Sequence, residues 1–84
     1  MRIRVRLFSL FRDAAGGIGE LEVELEDGSK LSELIEVLSR ELPRLAEALR
    51  AHPSLVLING EAARGDPALR EEDEVALAPI PSGG

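Results

Sequence analysis

From Arg2 to Leu7 hydrophobic and charged residues alternate strictly, Ile3, Val5 and Leu7 on one side and Arg2, Arg4 and Arg6 on the other. A period of two is that of a half-buried β-strand. The same pattern returns with Leu21, Val23 and Leu25 facing one way and Glu20, Glu22, Glu24 and Glu26 the other. Paired antiparallel, these two strands set a row of arginines against a row of glutamates. Such cross-strand pairs contribute roughly 0.2–1 kcal/mol each, so the charges select the partner and the register more than they stabilise the fold. Between the strands, Phe11, Ala14 and Ala15 form a short helix that Gly16-Gly17 ends.

After the Asp27-Gly28 turn the period changes. Leu31, Leu34, Ile35, Leu38 and Leu42 recur at helical spacing, with Glu33, Glu36, Arg40 and Glu41 on the opposite side. Ser29 and Ser32 are the candidate caps of this main helix. Pro43 disfavours a helical Leu42 and suits the first turn of a second helical piece carrying Leu45, Ala46 and Leu49. His52-Pro53 breaks that piece. The apolar run Leu55–Ile58 lacks alternation, as expected of a strand covered on both faces, and Asn59-Gly60 favours a type I′ turn. Turn residues surround Leu69, and a last strand runs from Glu74 to Ala78.

The predicted order is strand, strand, helix, strand, short strand or loop, strand. One antiparallel pair, a crossover helix and returning strands make an α+β layer, with one mixed sheet, one main helix on its inner face, and the first and last strands parallel neighbours. That arrangement is the ubiquitin-like β-grasp. The domain is expected to span residues 1–78, followed by an extended C-terminal tail over residues 79–84.

With 84 residues, the chain has room for one core that buries about 60–65% of its unfolded surface. It contains no cysteine, which removes disulfides, thiolate metal sites and a cysteine nucleophile together. A net charge of −6, with dispersed basic residues, argues against nucleic acid and favours basic partners. No apolar span long enough for a membrane occurs, and the start lacks the apolar stretch and cleavage site of a signal peptide, so a cytoplasmic location is expected.

The chemistry lies in the tail, Pro79-Ile80-Pro81-Ser82-Gly83-Gly84. Two prolines favour an extended path of about 3.1 Å per residue, so six residues reach roughly 19 Å from the body. The final glycines leave a thread without side chains, able to enter a narrow channel. A carboxylate at Gly84 is a poor electrophile until adenylation turns it into a mixed anhydride, which a sulfur nucleophile converts to a thiocarboxylate. ATP is bound by another protein, because no glycine-rich phosphate loop with lysine occurs here. His52 reads as a loop residue, no metal site is expected, and the body carries no catalytic group of its own.

The chain resembles the MoaD family, the small subunits of molybdopterin synthase, over essentially its full length. The resemblance rests on Val5-Arg6-Leu7-Phe8 leading into Phe11-Arg12-Asp13-Ala14-Ala15-Gly16, on Leu31-Ser32-Glu33-Leu34, Leu57-Ile58-Asn59-Gly60 and Asp73-Glu74-Val75-Ala76, and on the final Gly83-Gly84. It implies that Gly84 is adenylated by a MoeB-like enzyme and thiocarboxylated with sulfur from a cysteine desulfurase or rhodanese. The loaded tail would then enter a MoaE-like large subunit and donate sulfur to cyclic pyranopterin monophosphate. The related thiamine-pathway carriers of the ThiS type fit less well, being typically shorter and often turning through Asn-Gly directly after the first strand. Leu77-Ala78-Pro79-Ile80-Pro81 stands where many MoaD sequences have an aromatic-rich exit.

Strict alternation also puts Phe8 on the outer face of the first strand, with Ala76 and Ala78 outward on the last. Together with one face of Leu55–Ile58 they would make an apolar docking patch continuous with Ile80, Pro81, Ser82 and Gly83. A bend turning Phe8 into the core is the alternative. The competing functions are a carrier or modifier serving tRNA thiolation, thiamine synthesis or lysine conjugation, and a plain interaction module with an inert tail.

Overall fold

A computed structural model describes residues 1–81, so the expectations for Ser82, Gly83 and Gly84 fall outside the described residues. Arg2–Leu7 forms β1, with its odd-numbered side chains buried and its arginines exposed, and Glu20–Glu24 forms β2 antiparallel to it. A six-residue helix, α1 (Ser9–Ala14), lies between them. Then come α2 (Leu31–Glu41), α3 (Pro43–Ala51), β3 (Ser54–Ile58), the two-residue β4 (Glu61–Ala62) and β5 (Glu74–Pro79). The sheet order is β2-β1-β5-β3-β4, and β1 and β5 run parallel at its centre. This is an α+β ubiquitin-like β-grasp.

The inner face of the sheet holds the core. Ile3, Val5, Leu7, Val75 and Leu77 pack against Leu34 and Leu38 of α2, Leu45 of α3 and Phe11 of α1, which is fully buried. Each such aliphatic side chain contributes about 1.5–3 kcal/mol when withdrawn from water. The α2–α3 junction follows from Pro43 at the first position of α3, with Leu42 held at φ −129° and ψ 80° between the helices. No helix among the described residues is long and apolar enough to cross a membrane.

Three expectations about the sheet change in detail. Leu55–Ile58 is not covered on both faces: Leu55 is 42% exposed, because the helices pack on one side of the sheet only. Val56 and Ile58 pack against the core, whereas Leu55 and Leu57 share the open face with Ala78 and Ala76, their register partners on β5. Secondly, the last strand extends through Pro79, and the Ile80 N–H still donates to the Pro53 carbonyl at 3.0 Å. Thirdly, the arginines face glutamates in register but reach one rung along. Arg2 meets Glu22 at 3.4 Å, Arg4 meets Glu20 at 3.7 Å, and Arg6 lies 3.9 Å from Glu74 on β5. Long side chains lean along a twisted strand and find diagonal partners.

Neither candidate serine caps α2. The buried Ser29 hydroxyl donates to the Glu26 carbonyl, inside the preceding turn. The start of α2 is held from a distance by Asp66, whose two carboxylate oxygens accept from the Ser32 N–H at 2.8 Å and the Ser32 hydroxyl at 2.7 Å. Leu31 N–H to Pro67 carbonyl and Leu69 N–H to Ser29 carbonyl bonds fasten the same loop, and Leu69 enters the core beside them. Distance in sequence hid this cap, since Asp66 is 34 residues from Ser32.

The Ser32 hydroxyl and then the Ser32 N–H hold the Asp66 carboxyl below its ordinary 3.8 against desolvation, with the Lys30 charge adding least. A folded pKa below the unfolded one means stabilisation that is complete above pH 3.8 and lost as pH falls through the lowered value. Asp66→Ala should therefore lower the melting temperature by a constant amount between about pH 5 and 8, with the gap closing in stronger acid. Thermal melts by circular dichroism across that range test this; a gap that persists unchanged in acid would rule the carboxylate out as its source.

Candidate docking face and tail exit

The direction of Phe8 follows from the residue after it. Phe8 keeps the extended backbone of β1 (φ −121°, ψ 152°), and its N–H donates to the Leu77 carbonyl of β5. Ser9 then takes φ +51°, a left-handed conformation that non-glycine residues rarely adopt, and the chain swings into α1. The Phe8 carbonyl accepts from the N–H groups of Phe11 and Arg12, and so starts the helix. The bend leaves Phe8 on the outer face, 38% exposed, and carries Phe11 into the core. Phe8 is thus resolved outward, and the core position belongs to Phe11.

On the open face Phe8 stands beside Arg6, whose guanidinium carbon lies 5.2 Å from the ring centroid. At an exposed site such stacking contributes about 0.5–1 kcal/mol and holds the ring in place. Arg6 is level with Ala76, Ala76 with Leu57, and Ala78 with Leu55. Phe8, Ala76, Ala78, Leu55 and Leu57 consequently share one face of three adjacent strands, and no helix among the described residues packs on it. Small alanines on the central strand leave it shallow between the larger flanking side chains. This exposed apolar surface is the candidate docking face.

The same end of the sheet releases the tail. Ile80, 47% exposed, and Pro81 border a groove of about 500 Å³ with Leu10, His52 and Pro53. His52 caps the end of α3. The described part of the tail, Ile80 and Pro81, therefore leaves from the same end of the sheet as Phe8, Leu55 and Ala78. The remaining tail positions, Ser82, Gly83 and Gly84, lie outside the described residues.

Two supports of the sheet, one at each end of β5, go beyond the sequence reading. One is Ser9, whose backbone conformation no local pattern signals. The other is Asn59, which does more than form a turn. With Gly60 it takes positive φ (52° and 83°), as an Asn-Gly turn requires. Its side chain also donates to the Asp73 carboxylate at 2.9 Å and accepts from the Glu74 N–H at 3.0 Å, tying the β3–β4 turn to the start of β5.

The parallel β1–β5 centre, the crossover helix and the tail leaving β5 define a ubiquitin-like fold. The ThiS family matches residues 5–84, nearly the whole chain, and the chain belongs to that family. Among solved structures it is similar to small archaeal modifier protein 1 of Haloferax volcanii, with 27% identity, all of both chains covered and a TM-score of 0.85. It is also similar to a Pyrococcus furiosus protein described as molybdopterin converting factor, subunit 1, at 25% identity and TM-score 0.79, covering 94% of this chain and 97% of that one. A Helicobacter pylori complex of subunits 1 and 2 of molybdopterin-converting factor shares the fold, at 24% identity and TM-score 0.72 over the whole of both chains. No curated protein matches the chain.

Proposed function

We propose that this ThiS-family sulfur carrier is the sulfur-donating small subunit of molybdopterin synthase. The observation that carries the reading is the uncovered patch of Phe8, Ala76, Ala78 and Leu55 on the sheet end from which the tail departs. A subunit that delivers its own terminus into another protein's active site needs a docking surface continuous with that terminus. Likeness to a subunit 1 of molybdopterin converting factor supports a MoaE-like large subunit as the partner.

In this reading the Gly84 carboxylate attacks the α-phosphate of ATP on a MoeB-like enzyme and releases pyrophosphate. A persulfide sulfur, supplied by a cysteine desulfurase or rhodanese, then attacks the acyl carbon and expels AMP. Reductive cleavage of the resulting acyl disulfide by a thiol leaves the thiocarboxylate. Gly83, Ser82, Pro81 and Ile80 form the thread that carries it to cyclic pyranopterin monophosphate. This chain binds no cofactor, and the large subunit supplies the substrate pocket. The carrier is an essential part of the enzyme complex without being an enzyme by itself, and it acts in the cytoplasm.

A second reading, a protein modifier that joins the Gly84 carboxylate to lysines, is favoured by the likeness to small archaeal modifier protein 1 over both full chains. Both readings share the activation step. With the activating enzyme, ATP and a sulfur donor, the C-terminal peptide should gain about 16 Da, one sulfur replacing one oxygen in a chain that has no cysteine to take it up. Adding a MoaE-like subunit and cyclic pyranopterin monophosphate should then discharge the sulfur into product. Mass gain without product, together with isopeptide-linked adducts on lysines, would establish the modifier reading instead.

A further inference from the structure

Among the described residues, β2 stands at the edge of the sheet with one side of its backbone unpaired. The Leu25 N–H donates to the Met1 carbonyl and the Leu7 N–H to the Gly19 carbonyl, so the odd-numbered residues of β2 exchange hydrogen bonds with β1. In an antiparallel ladder the alternate residues then point their N–H and C=O groups away. Glu20, Glu22 and Glu24 thus present a row of free donors and acceptors at the sheet margin. Behind this margin a groove of about 430 Å³ runs between β2 and α2, floored by Leu21, Val23, Val37 and Leu42 and rimmed by Glu22, Glu24 and Glu41. It continues toward Glu26, Glu33 and Glu36, with Arg40 the one cation beside them. Among the described residues Glu24, Glu33, Glu36 and Glu41 make no ion pair.

We propose that the free edge of β2 and the β2–α2 groove bind an extended peptide of alternating basic and aliphatic residues, which adds to the sheet as a sixth strand. The molecule contains the template for such a ligand. On its other side β2 already accepts Arg2–Leu7, whose arginines lie along the glutamate row while Ile3, Val5 and Leu7 point toward the helices. A strand on the free side meets the same glutamates from across the edge, and its inward residues meet the apolar groove floor. Main-chain hydrogen bonds supply affinity in this mode of recognition, and alternate side chains supply specificity. Pairing with β2 of a second copy is disfavoured, because it sets glutamate against glutamate. The inference is independent of the sulfur-carrier reading, since β1 separates this edge from β5 and the tail.

The probe is a capped hexapeptide with the sequence of Arg2–Leu7, titrated into the full chain and followed by amide NMR shifts and calorimetry. Saturable binding should shift Glu20–Glu24 and α2 while leaving Val75–Leu77 of β5 in place; shifts in β5 would mean displacement of β1 and would overturn the proposal. A peptide with glutamates in place of arginines should not bind. Glu22→Pro removes an outward N–H without touching the β1 ladder, and should bind about tenfold more weakly than Glu22→Ala, which loses the same charge. Should the proline variant fold poorly, peptides N-methylated at alternate residues give the same test on unaltered protein: one alternate set should abolish binding and the other should retain it. Equal effects of both sets, or no binding of the parent peptide, would refute strand addition.

Discussion

A chain ending at Gly83 should form no thiocarboxylate and transfer no sulfur, yet unfold at the same temperature as the chain ending at Gly84. Shortening the thread by one residue withdraws the carboxylate by about 3 Å. In-line attack on a nucleotide needs reacting atoms within about 3–3.5 Å of each other, so a displacement of that size removes the reaction rather than slowing it modestly. Stability should not follow, because among the described residues the buried core runs from Ile3 to Leu77. Intact-mass measurement after incubation with the activating enzyme, ATP and a sulfur donor reads the first part, and a thermal melt reads the second. Full loading of the shortened chain would sink the proposed chemistry.

Phe8→Ala and Phe11→Ala should have opposite effects, although the residues are three apart and chemically identical. Phe11 is fully buried among α1, the sheet and α3, so its truncation removes a large side chain and leaves a cavity costing roughly 3–5 kcal/mol. For a small domain that is a large share of total stability. Phe8 lies on the open face, so its loss should cost the free domain little while weakening association with a MoaE-like subunit by about 2 kcal/mol or more, as aromatic anchors do at interfaces. Urea unfolding of both variants, set beside calorimetric titration with the partner, distinguishes the roles. Unchanged affinity for Phe8→Ala would remove the patch from the docking surface.

Local periodicity was enough for most of the architecture. The two alternating runs, the helical recurrence from Leu31 to Leu42, and the proline that divides it are short-range consequences of burial on one face. They led directly to the β1–β2 pair, α2, α3 and the parallel β1–β5 centre. The Gly-Gly tail and the motifs shared with MoaD chains were likewise readable along the chain. Alternation also placed Phe8, Ala76 and Ala78 outward, because a strand's two faces are set residue by residue.

Other features depend on groups brought together only by the fold. An apolar run without alternation has the same composition whether both faces are covered or one is left open, so the exposure of Leu55 had to await the position of the helices. The capping of α2 by Asp66 and the tying of Asn59 to Asp73 join residues far apart in sequence. The positive φ of Ser9 likewise has no local signature, being imposed where β1 must stop beside β5 and turn into the core. By itself the sequence determined the elements and the facing of the alternating strands, both of which follow from neighbours along the chain. Only the tertiary structure decided which apolar face stays uncovered, which edge stays unpaired and which distant side chain holds each turn, because those depend on what packs against what.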